Sequence, residues 1–328
     1  MQTCRIGLVG FGNWPRQAYA PVIKAMPDVQ VTAVAAPSEA TRALARDAFG
    51  DHLVCLENYR DLLAEETVDA VMIALPNGLH AEAIEAAARA GKHVFFEPPL
   101  ANDECAAERV VDVLAECGQV VQADLELRYL PVLQAIVGHI DSGEMGRPLM
   151  ARIRLWCDWG YKGGPWQDEV QGQSFFHWLG CWYLDVLDAI FTASPTSASV
   201  VGGRACNGTL LDHGWASLIY PENRLGQFEF NLVAAQGTKI ELLVALQAGE
   251  IHADLKTGGW QWRGESGDWH HSRAPASEPV CGFEGMRESI EDFVGAIRTG
   301  AAPRADLEAM RRVQHAAQLC VDFEGTGC

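Results

Sequence analysis

Residues 7–15 read GLVGFGNWP. A strand-like run, Arg5–Val9, leads directly into them, and the glycines Gly7, Gly10 and Gly12 fall close together. Glycine lets a backbone turn tightly and approach a pyrophosphate, and the N-terminus of a succeeding helix supplies N–H donors and positive dipole. The third glycine of the usual G-x-G-x-x-G pattern is absent because Pro15 stands there. Proline is accepted in the first turn of a helix, so the turn survives. Alone such a loop is a common turn. Between a first strand and a first helix it predicts a dinucleotide site lined by Gly10, Phe11, Gly12, Asn13 and Trp14.

The next hundred residues have the matching rhythm. Apolar runs recur at Val29–Ala35, Val68–Ala74, His93–Phe96 and Val120–Leu125. Between them lie helical patterns at Ser38–Ala48, Leu79–Ala90 and Asp103–Cys117, opened by capping residues or closed by glycine. Strands alternating with helices predict right-handed crossovers and a parallel sheet covered on both faces. Ligands of such sheets bind beyond the carboxyl ends of the strands. Those positions are Gly10–Trp14, Ala36–Ser38, Leu75–Leu79, Glu97–Pro99 and Asp124–Arg128. At the end of the second strand, where an NAD reader places an acid, the chain has Ala36, followed by Ser38 and Arg42. A serine and an arginine there suit a 2′-phosphate, so NADP is favoured slightly over NAD.

After residue 125 the pattern changes. A helix is expected over Tyr129–Ser142. Alternating strands then come in LMARIRLWCDW, around the Pro221–Asn223 turn and around Gly249, interrupted by a helix at Ser174–Ile190. Helices at Met286–Arg298 and Asp306–Val321 close the chain. The expected architecture is α/β: a dinucleotide-binding Rossmann domain with a parallel sheet over residues 1–125, then a C-terminal α/β domain with a large, open, mostly antiparallel sheet over 126–328. Helices 286–321 are free to pack back toward the first domain, and the active site is expected in the crevice between the two.

The 328 residues, 48% hydrophobic and 21% charged, belong to an ordinary globular chain of about two domains. The net charge of −18 disfavours nucleic acid and anionic membranes as partners. No apolar run reaches the roughly 18 residues of a membrane span, and no signal-peptide pattern opens the chain. Ten scattered cysteines without a CxxC pair argue against a disulfide framework or a metal site and for a reducing cytoplasm.

Four stretches carry a resemblance: GLVGFGN, ALPNGLHAEAIEAAARAGKHVFFEPPLA, LELRYLPVLQAIVGHIDSGEMGRP and FEGMRESIEDFVGAIRTGAAPRADLEAMRRVQHAA. In this order they resemble the Gfo/Idh/MocA family, the glucose–fructose oxidoreductase and inositol dehydrogenase group. The resemblance implies nicotinamide chemistry on a sugar, polyol or related carbonyl or alcohol, and a homodimer or homotetramer built through the C-terminal sheet. It places Pro76, Asn77, His80, Glu97 and Pro98 along the cofactor and Arg128 near the nicotinamide or substrate.

The chain departs from the family where the chemistry sits. The family's Glu-Lys-Pro lysine is Pro98 here, and its helical Asp and His fall on Trp178 and Trp182. Neither proline nor indole moves a proton, which hydride transfer to a carbonyl requires nearby. Two readings are open. The first is an oxidoreductase with a relocated acid/base group, drawn from His177, Asp185, Tyr161, Lys162, Tyr129 and His80. The second is a nucleotide-binding sensor or regulatory relative without turnover. On a regular helix Trp178, Trp182 and Asp185 share a stripe, with His177 about 100° from Trp178. The structural alternatives are a satisfied, partly buried histidine for His177 and a salt bridge or cap for Asp185. Tyr161 and Lys162 lie in a glycine-rich loop. Trp156, Trp159, Trp166, Trp178 and Trp182 favour a carbohydrate or aromatic substrate.

Overall fold

A computed structural model describes residues 3–158, 174–206, 210–235, 237–275 and 283–326. Two compact units divide the chain, the first from residues 3–126 with 283–311, the second from 127–275 with 312–326. The stretch 283–311 thus belongs with the first unit, although it comes after most of the second unit in sequence.

The first unit holds six parallel strands in the order β3-β2-β1-β4-β5-β6: β1 (Cys4–Val9), β2 (Val29–Ala35), β3 (Val54–Leu56), β4 (Ala70–Ile73), β5 (His93–Phe96) and β6 (Val121–Ala123). Its helices are α1 (Ala20–Lys24), α2 (Glu39–Phe49), α3 (Tyr59–Leu63), α4 (His80–Arg89) and α5 (Glu104–Glu116). β4 is apolar and buried on both faces, and β1 is so apart from Arg5, as a parallel sheet between helices requires. Ser38 and Asp103 cap α2 and α5 through their side chains. A late helix, α8 (Met286–Thr299), lays Met286, Ile290, Phe293 and Val294 into this core, where Phe293 meets Phe95 and Phe95 meets Tyr19. Helix α8 takes this number because α6 (Pro131–Asp141) and α7 (Cys181–Phe191) precede it in the second unit.

The second unit carries an eight-stranded sheet, ordered β14-β13-β12-β11-β7-β10-β9-β8, in which β7–β10 is parallel and the other pairings are antiparallel. The strands are β7 (Pro148–Trp156), β8 (Ser197–Gly203), β9 (His213–Tyr220), β10 (Arg224–Asn231), β11 (Lys239–Leu246), β12 (Gly249–Asp254), β13 (Gly259–Arg263) and β14 (His270–Arg273). β9 alternates strictly between exposed and buried residues, so one face is covered and the other open. Helix α7 covers the inner face. It is apolar almost all round and buried accordingly, with Tyr183 stacked on Phe228 and Phe175, just before it, stacked on Phe230. A last helix, α9 (Leu307–Thr326), closes the described chain.

The open face is not uniformly polar. Met150, Val201, Trp215, Ile219 and Leu225 are all exposed on it, and a groove of about 610 Å³ runs across β7, β8, β9 and β10. Trp156 also lies on this side, its indole donating to Glu229 (3.0 Å). It therefore sits across the sheet from Trp182, and the two do not line one pocket.

Candidate functional site

In the first unit the glycine loop is set by its neighbours. Gly10 N donates to Ala35 O (2.9 Å) and Ala74 N donates to Val9 O (2.9 Å), so the loop is pinned between β2 and β4. Gly10 has φ +90°, and a Cβ there would lie 2.2 Å from the Ala74 carbonyl oxygen. Only glycine fits. Around Gly12 the same construction meets open space, leaving that backbone accessible. Phe11 turns inward, buried against Phe49. Asn13 Oδ1 accepts from Arg16 Nη2 (2.8 Å).

The next helical segment begins with a π-turn, Pro15–Tyr19, in which Ala20 N–H reaches back to Pro15 O. On a regular α-helix residues 14 and 19 would point about 140° apart. The wider i→i+5 turn accompanies their convergence. Trp14 Nε1 (2.9 Å) and Tyr19 Oη (2.7 Å) both donate to Oδ2 of Asp124, just beyond β6. The other oxygen, Oδ1, is buried and has no hydrogen-bond partner among the described residues.

Glu97 stands beside Asp124. Phe96 pairs with Ala123, Asp124 N donates to Phe96 O (2.7 Å), and Glu97 N donates to Ile73 O (2.9 Å). The two carboxyls therefore come directly after the last paired residues of adjacent parallel strands. Burial and the Asp124 charge push the Glu97 carboxyl up to about 8. Burial also raises Asp124, against the pull of its two donors. After Glu97 the chain passes through a cis Pro98–Pro99 bond. His80 is fully buried with Nδ1 2.8 Å from Pro99 O and Nε2 2.7 Å from Leu75 O, so it clamps the chain beyond β5 to the chain beyond β4. Burial lowers its pKa. Pro76 leads into a 3₁₀ turn, Asn77–Leu79, and Asn77 Nδ2 is a second buried polar atom without a partner among the described residues.

Beyond β2, Ser38 and Arg42 are both engaged. Ser38 Oγ accepts from Thr41 N (3.0 Å). Arg42 is buried and donates to Ala36 O (2.7 Å), Pro37 O (2.9 Å), Glu39 Oε2 (3.0 Å) and Glu57 Oε1 (3.1 Å). The guanidinium that suited a 2′-phosphate is held by two carbonyls and two carboxylates.

In the second unit, Asp185 and Asp188 lie three residues apart on α7 and face the same way. Arg128 Nε contacts both oxygens of Asp185 (3.0 and 3.2 Å), and its Nη2 donates to Asp185 Oδ1 and to Asp188 Oδ2 (2.8 Å). Arg312 meets Asp188 from α9 (2.6 and 2.9 Å). Two arginines and two aspartates thus form one network, with Asp185 fully buried. Burial pushes the Asp185 carboxyl up to about 6, against the pull of Arg128. His177 is buried, its Nε2 3.5 Å from Gln314 Nε2, and Tyr129 is buried.

A π-turn at Phe176–Gly180 precedes α7. Its inserted residue rotates the side chains on its N-terminal side by about 100° against those of α7, so the regular-helix stripe of Trp178, Trp182 and Asp185 does not hold. Trp178 is half-buried, and Trp182 is buried with its Nε1 unpartnered among the described residues. Tyr161 and Lys162, like Trp159 and Trp166, lie outside the described residues. The sequence pattern alone does not single out Asp124, Tyr19 or Asp188. A signal for Asp124 exists in it nonetheless, an acid closing a buried strand as Glu97 does.

Among the described residues no cluster of three or more His, Cys, Asp or Glu is arranged to hold a metal, and no helix is long and apolar enough to cross a membrane.

Comparison with known proteins adds a second line of observation. Residues 4–125 match the model of an oxidoreductase family with an NAD-binding Rossmann fold, and residues 133–252 match the GFO/IDH/MocA C-terminal domain. The chain is 34% identical over 142 residues to dTDP-3,4-didehydro-2,6-dideoxy-alpha-D-glucose 3-reductase of Actinomadura kijaniata, covering 43% of this chain and 42% of that protein. It is 32% identical over 149 residues to inositol 2-dehydrogenase/D-chiro-inositol 3-dehydrogenase of Lactiplantibacillus plantarum, covering 44% and 42%. The chain spans less than half the length of these curated relatives. Levoglucosan dehydrogenase, solved with NADH and levoglucosan, shares the fold at TM-score 0.88 and 19% identity, over 99% of this chain and 98% of that one.

Proposed function

Because the chain belongs to the Gfo/Idh/MocA oxidoreductase family, we propose that it is an NAD(P)-dependent oxidoreductase acting on a sugar, polyol or related carbonyl or alcohol. The observation that carries this reading is Gly10, held at φ +90° against the Ala74 carbonyl with open space around Gly12 beyond it. That is the surface a pyrophosphate needs, with the backbone of Gly10–Trp14 and the first turn of the next helix to hold it. The residues fit such a group. Two buried polar atoms without partners among the described residues, Asn77 Nδ2 and Asp124 Oδ1, lie just beyond β4 and β6. The bound nicotinamide would supply hydride exchange at carbon. Pro76, Asn77, Glu97 and Pro98 wall its site, and His80 keeps that wall in shape.

The substrate class rests on relatives whose names are those of sugar and inositol oxidoreductases. Half-buried Trp178 offers aromatic surface for a pyranose face. A homodimer or homotetramer through the open sheet is proposed on the exposed Met150, Trp215, Ile219 and Leu225, and a cytoplasmic setting on the scattered cysteines. The alternative, a nucleotide-binding relative without turnover, is favoured by Pro98 and by the pairing of Asp185 with Arg128.

Calorimetric titration with NADH and NADPH tests the first step, and absence of heat with both removes the proposal. Incubation with reduced coenzyme and a panel of ketosugars and aldoses tests the second. Loss of nicotinamide absorbance with any of them discards the sensor reading.

A further inference from the structure

We propose that the carboxyl pair Glu97–Asp124 is the proton-exchanging group of this protein, with Glu97 taking the place of the ammonium that Pro98 removes. This rests on the oxidoreductase reading of the same site. Three observations carry it. Glu97 is half-buried directly beyond β5, one residue before the position where the family keeps its lysine. Asp124 stands next to it in register, fully buried. And Asp124 is only half satisfied: Oδ2 takes the Trp14 and Tyr19 donors, while Oδ1 is buried with none among the described residues. A buried carboxylate oxygen without a donor is costly, and a proton on the pair relieves it.

Two adjacent carboxyls in a dry site do not both ionise readily, so one proton stays on the pair at neutral pH. Glu97, the more exposed member, then titrates near the working pH, which is what an acid/base group needs. The groups that meet the pair are Tyr19 and Trp14, both donating to Asp124.

In the oxidation direction the substrate's C–H bond would break, its hydride going to the nicotinamide that the Gly10–Trp14 loop and the Glu97–Pro98 wall would hold. Its O–H bond breaks and the proton passes to the Glu97 carboxylate, and the carbon–oxygen bond becomes double. In reduction the protonated Glu97 returns that proton to the carbonyl oxygen as the hydride arrives.

The test has two arms. Protein labelled with ¹³C at the glutamate carboxyls is titrated by NMR, and Glu97→Gln identifies the resonance. The expected result is one glutamate titrating near neutrality, absent in Glu97→Gln. All glutamates titrating in the ordinary carboxylate range overturns the proposal. In the second arm, with a sugar the wild type turns over and at saturating coenzyme, Glu97→Gln is expected to lower kcat by at least about 100-fold. An unchanged kcat overturns the proposal. If the wild type binds coenzyme but turns over no sugar, the substrate reading has failed, and the NMR arm still decides whether Glu97 holds the proton.

Discussion

The indole N–H of Trp14 donates to Asp124 Oδ2 across 2.9 Å and 110 residues of sequence. The glycine loop is thereby tied by its own side chain to the strand end that carries the carboxyl pair. A change at either end reaches the other.

Trp14→Phe keeps a ring to pack on Phe283, which lies 4.6 Å from Trp14 centroid to centroid, but removes a donor to a buried carboxylate. It is expected to cost about 1–3 kcal/mol of stability. It also raises the Asp124 pKa further, since that donor favours the ionised form. Chemical denaturation at neutral pH measures the first effect, and the second is read as a pH-linked loss of stability that extends to higher pH than in the wild type.

Glu97 makes the first unit lose stability as pH rises. Its folded pKa is raised to about 8, above the ordinary carboxylate value of 4.5, so the native state binds the proton more tightly than the unfolded chain does. The stabilisation is fully present below the unfolded value and is lost as pH climbs from there through about 8. Thermal melts from about pH 5 to about pH 9 are expected to show a falling midpoint in the wild type and a flatter one in Glu97→Gln. Parallel curves would contradict this.

Arg42 bears on coenzyme choice. Its guanidinium is held by Ala36 O, Pro37 O, Glu39 and Glu57, and the two carboxylates would oppose a 2′-phosphate. NADH is therefore expected to bind at least as tightly as NADPH. The double variant Glu39→Gln/Glu57→Gln is expected to strengthen NADPH relative to NADH by about tenfold, the equivalent of about 1.4 kcal/mol. Calorimetry with both coenzymes reads the ratio directly.

Asp185 is expected to act through stability. Removing one partner from a buried ion pair leaves a charge uncompensated, at a cost of about 3–5 kcal/mol. Asp185→Asn should unfold at markedly lower denaturant concentration. A normal denaturation midpoint combined with lost turnover would instead make it an acid/base group.

Much of the first unit is legible in the sequence because its signals are local. Val29–Ala35 and His93–Phe96 coincide with β2 and β5, since a strand buried on both faces over most of its length reads as a largely apolar run. The antiparallel sheet shows itself through alternation, most clearly at His213–Tyr220. The features that escape depend on distance or on irregular backbone. The engagement of Arg42 needs Glu57, fifteen residues on and beyond another strand. The π-turns at Pro15–Tyr19 and Phe176–Gly180 have no residue signature, yet each rotates the side chains on which a site prediction depends. Hence a helical wheel puts Trp178, Trp182 and Asp185 on one stripe and hides the convergence of Trp14 and Tyr19 on Asp124. Residues 283–311 return to the first unit because their apolar face fits the Tyr19–Phe95 core, a matter of three-dimensional packing.

Phe11 sits in the middle of the glycine loop with its ring buried in the core against Phe49. Displacing the loop would drag a benzyl group into water, so the loop takes its shape when the domain folds and keeps it. An arriving coenzyme meets a finished surface, and heating should abolish its binding at the same temperature that melts this lobe.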